Sequence, residues 1–269
     1  MTPTFRYGAN VHANGIRQHY LRFGRQGPAM LVVPGIVSPA ATWAFVAERL
    51  GLNFNVYVLD VRGRGLSESG ARLDYGLDAC ADDVVAFAGV LGLAPFTILG
   101  HSMGARIAVR AARRAGPTLE RIVLVDPPVC GPGRRKYPTP LDGVLELLHA
   151  AYRGGAYEAL KAPGVAAWPE ALLRVRAEWL HTCDERAVAD AYRAFHENDM
   201  HADLPHIKVP VALIAAGRGD VILAEEEHEI VRLMPSIAVR RVANAGHNIP
   251  VDDFEGFFAA LGSVLDMKL

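Results

Sequence analysis

The chain has 269 residues, 51 % of them hydrophobic and 21 % charged, with a formal net charge of -1. This length suits one large α/β domain with a substantial core. The near-neutral balance excludes the basic footprint of a nucleic-acid binder or a polybasic membrane surface.

Cys80, Cys130 and Cys183 are widely spaced and odd in number, so they build neither a disulfide framework nor a CxxC metal pattern. A reducing, cytoplasmic setting is expected. The first fifteen residues lack the long apolar stretch of a signal peptide, and no apolar run reaches the roughly 18 residues that span a bilayer. The protein is therefore expected to be soluble, without a membrane partner. Its oligomeric state is not legible.

Residues 16–23 (IRQHYLRF) read as an early edge strand, paired in a hairpin with the segment around Val11. MLVVPG at 30–35 is a short apolar run closed by Pro-Gly, which predicts a buried strand followed by a loop. Residues 41–50 have a helical pattern, and NVYVLD at 55–60 returns to a strand. The rhythm repeats with a helix over 78–91, a strand over 96–100, a helix over 103–115 and a strand over 121–126. Such alternation predicts a mostly parallel sheet with helices on both faces.

Between Asp126 and Val209 the rhythm breaks. VCGPGRRKYPTP at 129–140 is too rich in Gly, Pro and positive charge to form a regular element. Three amphipathic stretches follow near 141–152, 168–181 and 184–197, with no strand between them. Strand character resumes at 209–217, followed by a helix over 224–233, a strand over 237–242 and a last helix over 254–265. No repeat or linker marks a second domain. The expected architecture is a single domain over 1–269: an eight-stranded, mostly parallel sheet flanked by helices, with a helical cap over 130–205 inserted after strand 6.

GHSMG at 100–104 fits G-x-S-x-G and lies after a strand and before a helix, the context in which that pattern carries chemistry. A sharp turn there exposes the hydroxyl of Ser102 in a strained conformation, and side chains two residues away would collide with it. The helix that starts at Met103 aims free backbone N–H groups at developing negative charge. Ser102 is the candidate nucleophile.

A serine hydroxyl needs a base. Of ten histidines, His247 stands apart because NAGHNIP lies between the last strand and the final helix. His101, next to the serine, reads as a packing residue. Two aspartates compete to orient His247. Asp220 in AGRGDVI follows the strand at 209–217, and Asp126 in LVDPP closes the strand before it. Either could hold the imidazole tautomer, and position favours Asp220. The oxyanion donors are expected to be the backbone N–H groups of Met103 and Ile36, the latter in the loop after MLVV. DVRGRGLS at 60–67 lacks both GxGxxG spacing and a Walker lysine, so it reads as a tight loop beside the site. No HExxH, EF-hand or clustered His/Asp spacing calls for a metal.

These features together resemble the α/β-hydrolase superfamily over the whole chain. More narrowly, ANGIRQHYLRFG (13–24), TWAFVAERLG (42–51), YVLDVRGRGLS (57–67), GHSMGAR (100–106), LVDPPVCGPGRR (124–135), RAEWLHTC (176–183) and NAGHNIP resemble the N-formylmaleamate deformylase family of aerobic nicotinate degradation. That resemblance implies a triad of Ser102, Asp126 and His247. It reverses the positional preference, leaving Asp220 as the alternative acid. It also implies a serine amidase that cleaves a linear amide C–N bond, turning N-formylmaleamate into maleamate and formate through a formyl-serine, with no cofactor.

The implied substrate is a small carboxylated amide, and a guanidinium can hold a carboxylate through paired hydrogen bonds. Arg134 and Arg176 are the leading candidates for that contact, with Trp179 and His181 beside them in sequence. A lactonase or carboxylesterase acting on a small acid is the nearest rival. A small-ligand receptor with the same fold is the rival outside enzymes.

Overall fold

The computed structural model describes residues 3–162 and 168–269, so residues 163–167 of the expected cap lie outside the described residues. The strands are β1 (Phe5–Ala13), β2 (Ile16–Phe23), β3 (Ala29–Val33), β4 (Asn55–Leu59), β5 (Phe96–His101), β6 (Leu119–Val125), β7 (Val211–Ala216) and β8 (Ala238–Val242). Among the described residues they form one eight-stranded sheet in the order β1-β2-β4-β3-β5-β6-β7-β8. The β1/β2 and β2/β4 pairs are antiparallel and the other pairs are parallel.

Sequence explains this division. β5, up to its terminal His101, and β7 are runs of apolar and small residues, and both strands are buried at every position, the mark of parallel strands covered on both faces. β1 is exposed over its first four residues and alternates exposed and partly buried positions only from Ala9, as suits an edge strand. Asn14 and Gly15, at φ 52 and 75, turn β1 into β2 with the left-handed geometry that two-residue hairpins favour. The sequence placed the edge at 16–23. It lies instead at β1, because β2 is paired on its other side with β4.

The sheet carries helices α1 (Ala44–Leu50), α2 (Leu77–Val90) and α3 (Met103–Ala112) after β3, β4 and β5. Between β6 and β7 come α4 (Leu141–Tyr152), α5 (Ala156–Leu160), α6 (Glu170–Leu180), α7 (Glu185–Glu197) and α8 (Met200–Asp203). Then α9 (Ala224–Leu233) follows β7, and α10 (Ile249–Asp252) and α11 (Phe254–Leu265) follow β8. Met30 and Val32 of β3 pack into the core shared with α1 and α11, while Leu31 and Val33 pack into the core shared with α2 and α3. The two-residue strand period thus feeds two cores from one strand. The short helices α5, α8 and α10 escape a sequence reading because four or five residues do not complete two turns of a periodic pattern.

α4 to α8 form the cap, inserted after the sixth strand as expected. Buried arginines fasten it to the sheet domain. Arg106 of α3 donates to the carbonyls of Pro128, Cys130 and Asn198, joining both ends of the insertion to one helix. Arg64 donates to the carbonyls of Ile36 and Ala187, joining the loop after β3 to α7. Each guanidinium meets oriented carbonyls in place of water, as a buried donor must. Among the described residues no helix is long and apolar enough to cross a membrane.

Candidate active site

Four loops converge at the C-terminal edge of the parallel strands, the edge where open α/β sheets bind ligands. Ser102 stands between β5 and α3 at φ 53 and ψ -119, a backbone conformation that costs energy and is held by its surroundings. The glycines that flank it are needed for close approach. A Cβ at Gly104 would run into the Val33 and Pro34 carbonyls, and one at Gly100 into the Gly104 carbonyl. These obstacles are not the serine side chain that the sequence pattern points to. The contact that forbids a side chain is instead between α3 and the ends of β3 and β5.

His247 lies in the loop after β8, where the Gly246 N–H donates to Asp252 at 2.8 Å. Its Nδ1 is 2.7 Å from Asp126 Oδ2 and its Nε2 is 3.1 Å from Ser102 Oγ. Asp126 follows β6 at φ 45, and its other oxygen accepts from the Ala216 N–H at 3.1 Å. A carboxylate pinned in this way takes a proton-bearing Nδ1 and leaves Nε2 with a lone pair aimed at the serine hydroxyl. Asp220, the alternative acid, is exposed on the loop beyond β7 and makes no hydrogen bond to His247.

His101 supports the base from behind. Its ring is 4.9 Å from that of His247, and its Nε2–H donates to the His247 carbonyl at 3.0 Å. Burial, and then the neighbouring His247, push His101 down to about 3, so it remains neutral and uncharged beside the base.

The N–H groups of Ile36 and Met103 have no protein acceptor among the described residues. Met103 is the first residue of α3, where no intrahelical bond is available. The carbonyl of the Gly35–Ile36 peptide accepts from the Ser38 N–H at 3.3 Å, which orients the Ile36 N–H away from its own loop.

A cavity of about 170 Å³ opens on these groups, with Ile36, Ser102, Tyr137, Trp168, Arg176 and His247 in its wall. The Arg176 guanidinium lies 4.5 Å from the Trp168 ring centre and has no carboxylate partner among the described residues. Desolvation pushes it down to about 10. A cation without a carboxylate partner, in the wall of the cavity that holds Ser102 and His247, is suited to receive an anion.

The other three binding candidates are not in this wall. Arg134 is taken by Glu229, which accepts from both of its terminal nitrogens at 2.8 Å. Trp179 is half-buried elsewhere, and His181 lines a separate depression with Tyr157 and Arg174. Tyr137 was not anticipated. It comes from the irregular stretch at 129–140 and places its hydroxyl 3.3 Å from His247 Nε2. Its only sequence signal was a lone phenol ahead of Pro138, a residue whose backbone proline restricts. Among the described residues no group of three or more His, Cys, Asp or Glu could hold a metal ion.

The chain is 56 % identical over 266 residues to the N-formylmaleamate deformylase of Pseudomonas putida KT2440, covering 99 % of each sequence. The solved structure of a serine-to-alanine variant of the N-formylmaleamic acid deformylase from Pseudomonas putida S16 superposes with a TM-score of 0.90 at 48 % identity, covering 95 % of this chain and 100 % of that one. The enol-lactonase of Burkholderia xenovorans LB400 shares the fold alone, with a TM-score of 0.77 at 21 % identity over 96 % of this chain and 100 % of that one. A family model described as the alpha/beta hydrolase family matches residues 30–261. With that match laid over the strand–serine–helix turn and the cap after β6, the chain belongs to the alpha/beta hydrolase family.

Proposed function

We propose that this enzyme hydrolyses N-formylmaleamate to maleamate and formate, with Ser102 as nucleophile, His247 as base and Asp126 as the acid that orients it. The observation that carries the reading is the hydrogen-bonded line Asp126–His247–Ser102 opening on a cavity whose wall also holds Arg176, which has no carboxylate partner among the described residues. Full-length likeness to a deformylase names the substrate. The whole of 1–269 acts as one hydrolase domain with 130–205 as its cap, and the three free, buried cysteines favour a cytoplasmic setting.

In this reading Ser102 Oγ attacks the formyl carbon while His247 Nε2 takes its proton. The oxyanion is received by the Ile36 and Met103 N–H groups. The C–N bond then breaks with its electron pair on nitrogen, which takes the proton from His247, and maleamate departs. Water attacks the formyl-Ser102 ester with His247 again as base, and formate leaves. The second carbonyl on the departing nitrogen makes it a better leaving group than an amine, which suits a triad of esterase type. No cofactor enters any step.

The test is formate release by the purified protein. N-formylmaleamate is expected to show a higher kcat/KM than p-nitrophenyl acetate or a small enol-lactone. A lactone preference of about tenfold or more, roughly 1.4 kcal/mol at the transition state, would hand the assignment to the lactonase reading.

Arg176 is assigned to the distal carboxylate of the substrate. Arg176→Ala is expected to cost about 1.5–3 kcal/mol of transition-state binding toward N-formylmaleamate, the loss of a charged hydrogen bond. Its methyl ester should lose far less. Equal losses on acid and ester would mean that the change had damaged the cap instead.

A further inference from the structure

Two hydroxyls converge on one nitrogen. With Nδ1–H given to Asp126, His247 Nε2 offers a single lone pair, yet Ser102 Oγ stands 3.1 Å away and Tyr137 Oη 3.3 Å away. Only one can donate to it at a time. The serine needs that bond for proton transfer, so the phenol is left beside Ser102 Oγ in the cavity wall, in a contact that a substrate oxygen can replace.

The phenol is also held firmly. The Tyr137 N–H donates to His196 Nε2 at 3.2 Å, and its ring packs 5.4 Å from Phe195 and 6.1 Å from Tyr192, all on α7. Burial pushes its ionisation well above that of a free tyrosine, so it keeps its proton at neutral pH. Its location decides what it can touch. The oxyanion donors come from the ends of β3 and β5, whereas Tyr137 arrives from the cap side and reaches Nε2. A leaving atom must lie beside Nε2 to receive its proton, so a group within hydrogen-bond distance of Nε2 flanks the leaving group.

We propose that Tyr137 is a further catalytic residue, which donates its O–H to the carbonyl oxygen of the leaving group and so favours N-acyl amides over simple esters. The proposal rests on the deformylase reading for its substrate. As the formyl C–N bond breaks, the electron pair spreads from nitrogen onto the oxygen of the adjacent carbonyl. Tyr137 stabilises that oxygen through its hydrogen bond and keeps its own proton. The proton from His247 goes to nitrogen, giving neutral maleamate and formyl-Ser102. An aryl ester has no such oxygen and gains nothing from the phenol.

The experiment compares Tyr137→Phe with the unaltered enzyme on N-formylmaleamate and on 4-nitrophenyl formate. The kcat for the imide is expected to fall about 10²-fold, the effect of losing one donor to developing charge, while the ester stays within about threefold. Equal loss on both substrates, or an unchanged imide rate, overturns the proposal. Should circular dichroism show Tyr137→Phe to be unfolded, Tyr137→3-fluorotyrosine keeps the ring and strengthens the donor. Its imide-to-ester ratio should then rise, and an unchanged or lower ratio overturns the proposal. If the unaltered enzyme is inert toward N-formylmaleamate, the substrate reading fails by itself. The role of Tyr137 then stands or falls on the same comparison made with N-formylacetamide, an imide with no carboxylate.

Discussion

Ser102→Ala is expected to leave a folded protein that still binds N-formylmaleamate while kcat for formate release falls by about 10⁶-fold, the scale seen when a triad nucleophile is removed. The fold should survive because, among the described residues, the Ser102 side chain bonds only within the site, to His247 and the Tyr137 hydroxyl. Its backbone is held independently: the Ser102 N–H donates to Val125 and its carbonyl accepts from Ala105 and Arg106. Alanine suffers the same positive-φ strain as serine, so little stability should change hands. Binding should persist because Arg176 and the oxyanion donors are untouched. A residual rate above water would come from those donors and from positioning. The check is kcat by formate release, alongside a dissociation constant by calorimetry on the same sample. Unchanged hydrolysis in Ser102→Ala would remove the serine mechanism altogether.

What could be read from sequence follows how locally each feature is encoded. The central strands announce themselves because burial on both faces demands continuous apolar runs, as in TILG and IVLV. Ser102 and His247 were legible for a similar reason: their turns are written in adjacent residues, GHSMG and NAGHNIP. Arg134 was not. Nothing near it in sequence reveals that Glu229, 95 residues away, neutralises it, whereas Arg176 has no such partner among the described residues. Pairing is a tertiary fact, and the two arginine candidates, Arg134 and Arg176, look alike until it is known. Tyr137 was hidden in the same way, since the path of a Gly/Pro-rich loop is set by what it packs against. In this case that is α7.

Asp126→Asn is expected to lower kcat by at least about 10²-fold and up to roughly 10⁴-fold, with the protein folded. Asp220→Asn should stay close to the unaltered rate. The two residues are alike in sequence, each just past a parallel strand, and their difference is geometric. Asp126 follows β6 directly, and the Ala216 N–H of β7 fixes one of its oxygens so that the other meets His247 Nδ1 at 2.7 Å. Its carboxylate is 1 % exposed, so the bond to the imidazole is shielded from water and the ion pair that forms during the reaction is worth more than on the surface. An asparagine there could present its amide N–H₂ to Nδ1. The ring would then hold its proton on Nε2, where it cannot accept from Ser102. Asp220, out in solvent, can neither select the tautomer nor support the imidazolium against screening. Measuring kcat for both singles and the double mutant separates the possibilities, with folding followed by circular dichroism. If the loss fell on Asp220→Asn alone, the loop beyond β7 would have to close over His247 during turnover and displace Asp126 from Nδ1. Two mild singles with a severe double would instead mean that the two carboxylates substitute for one another.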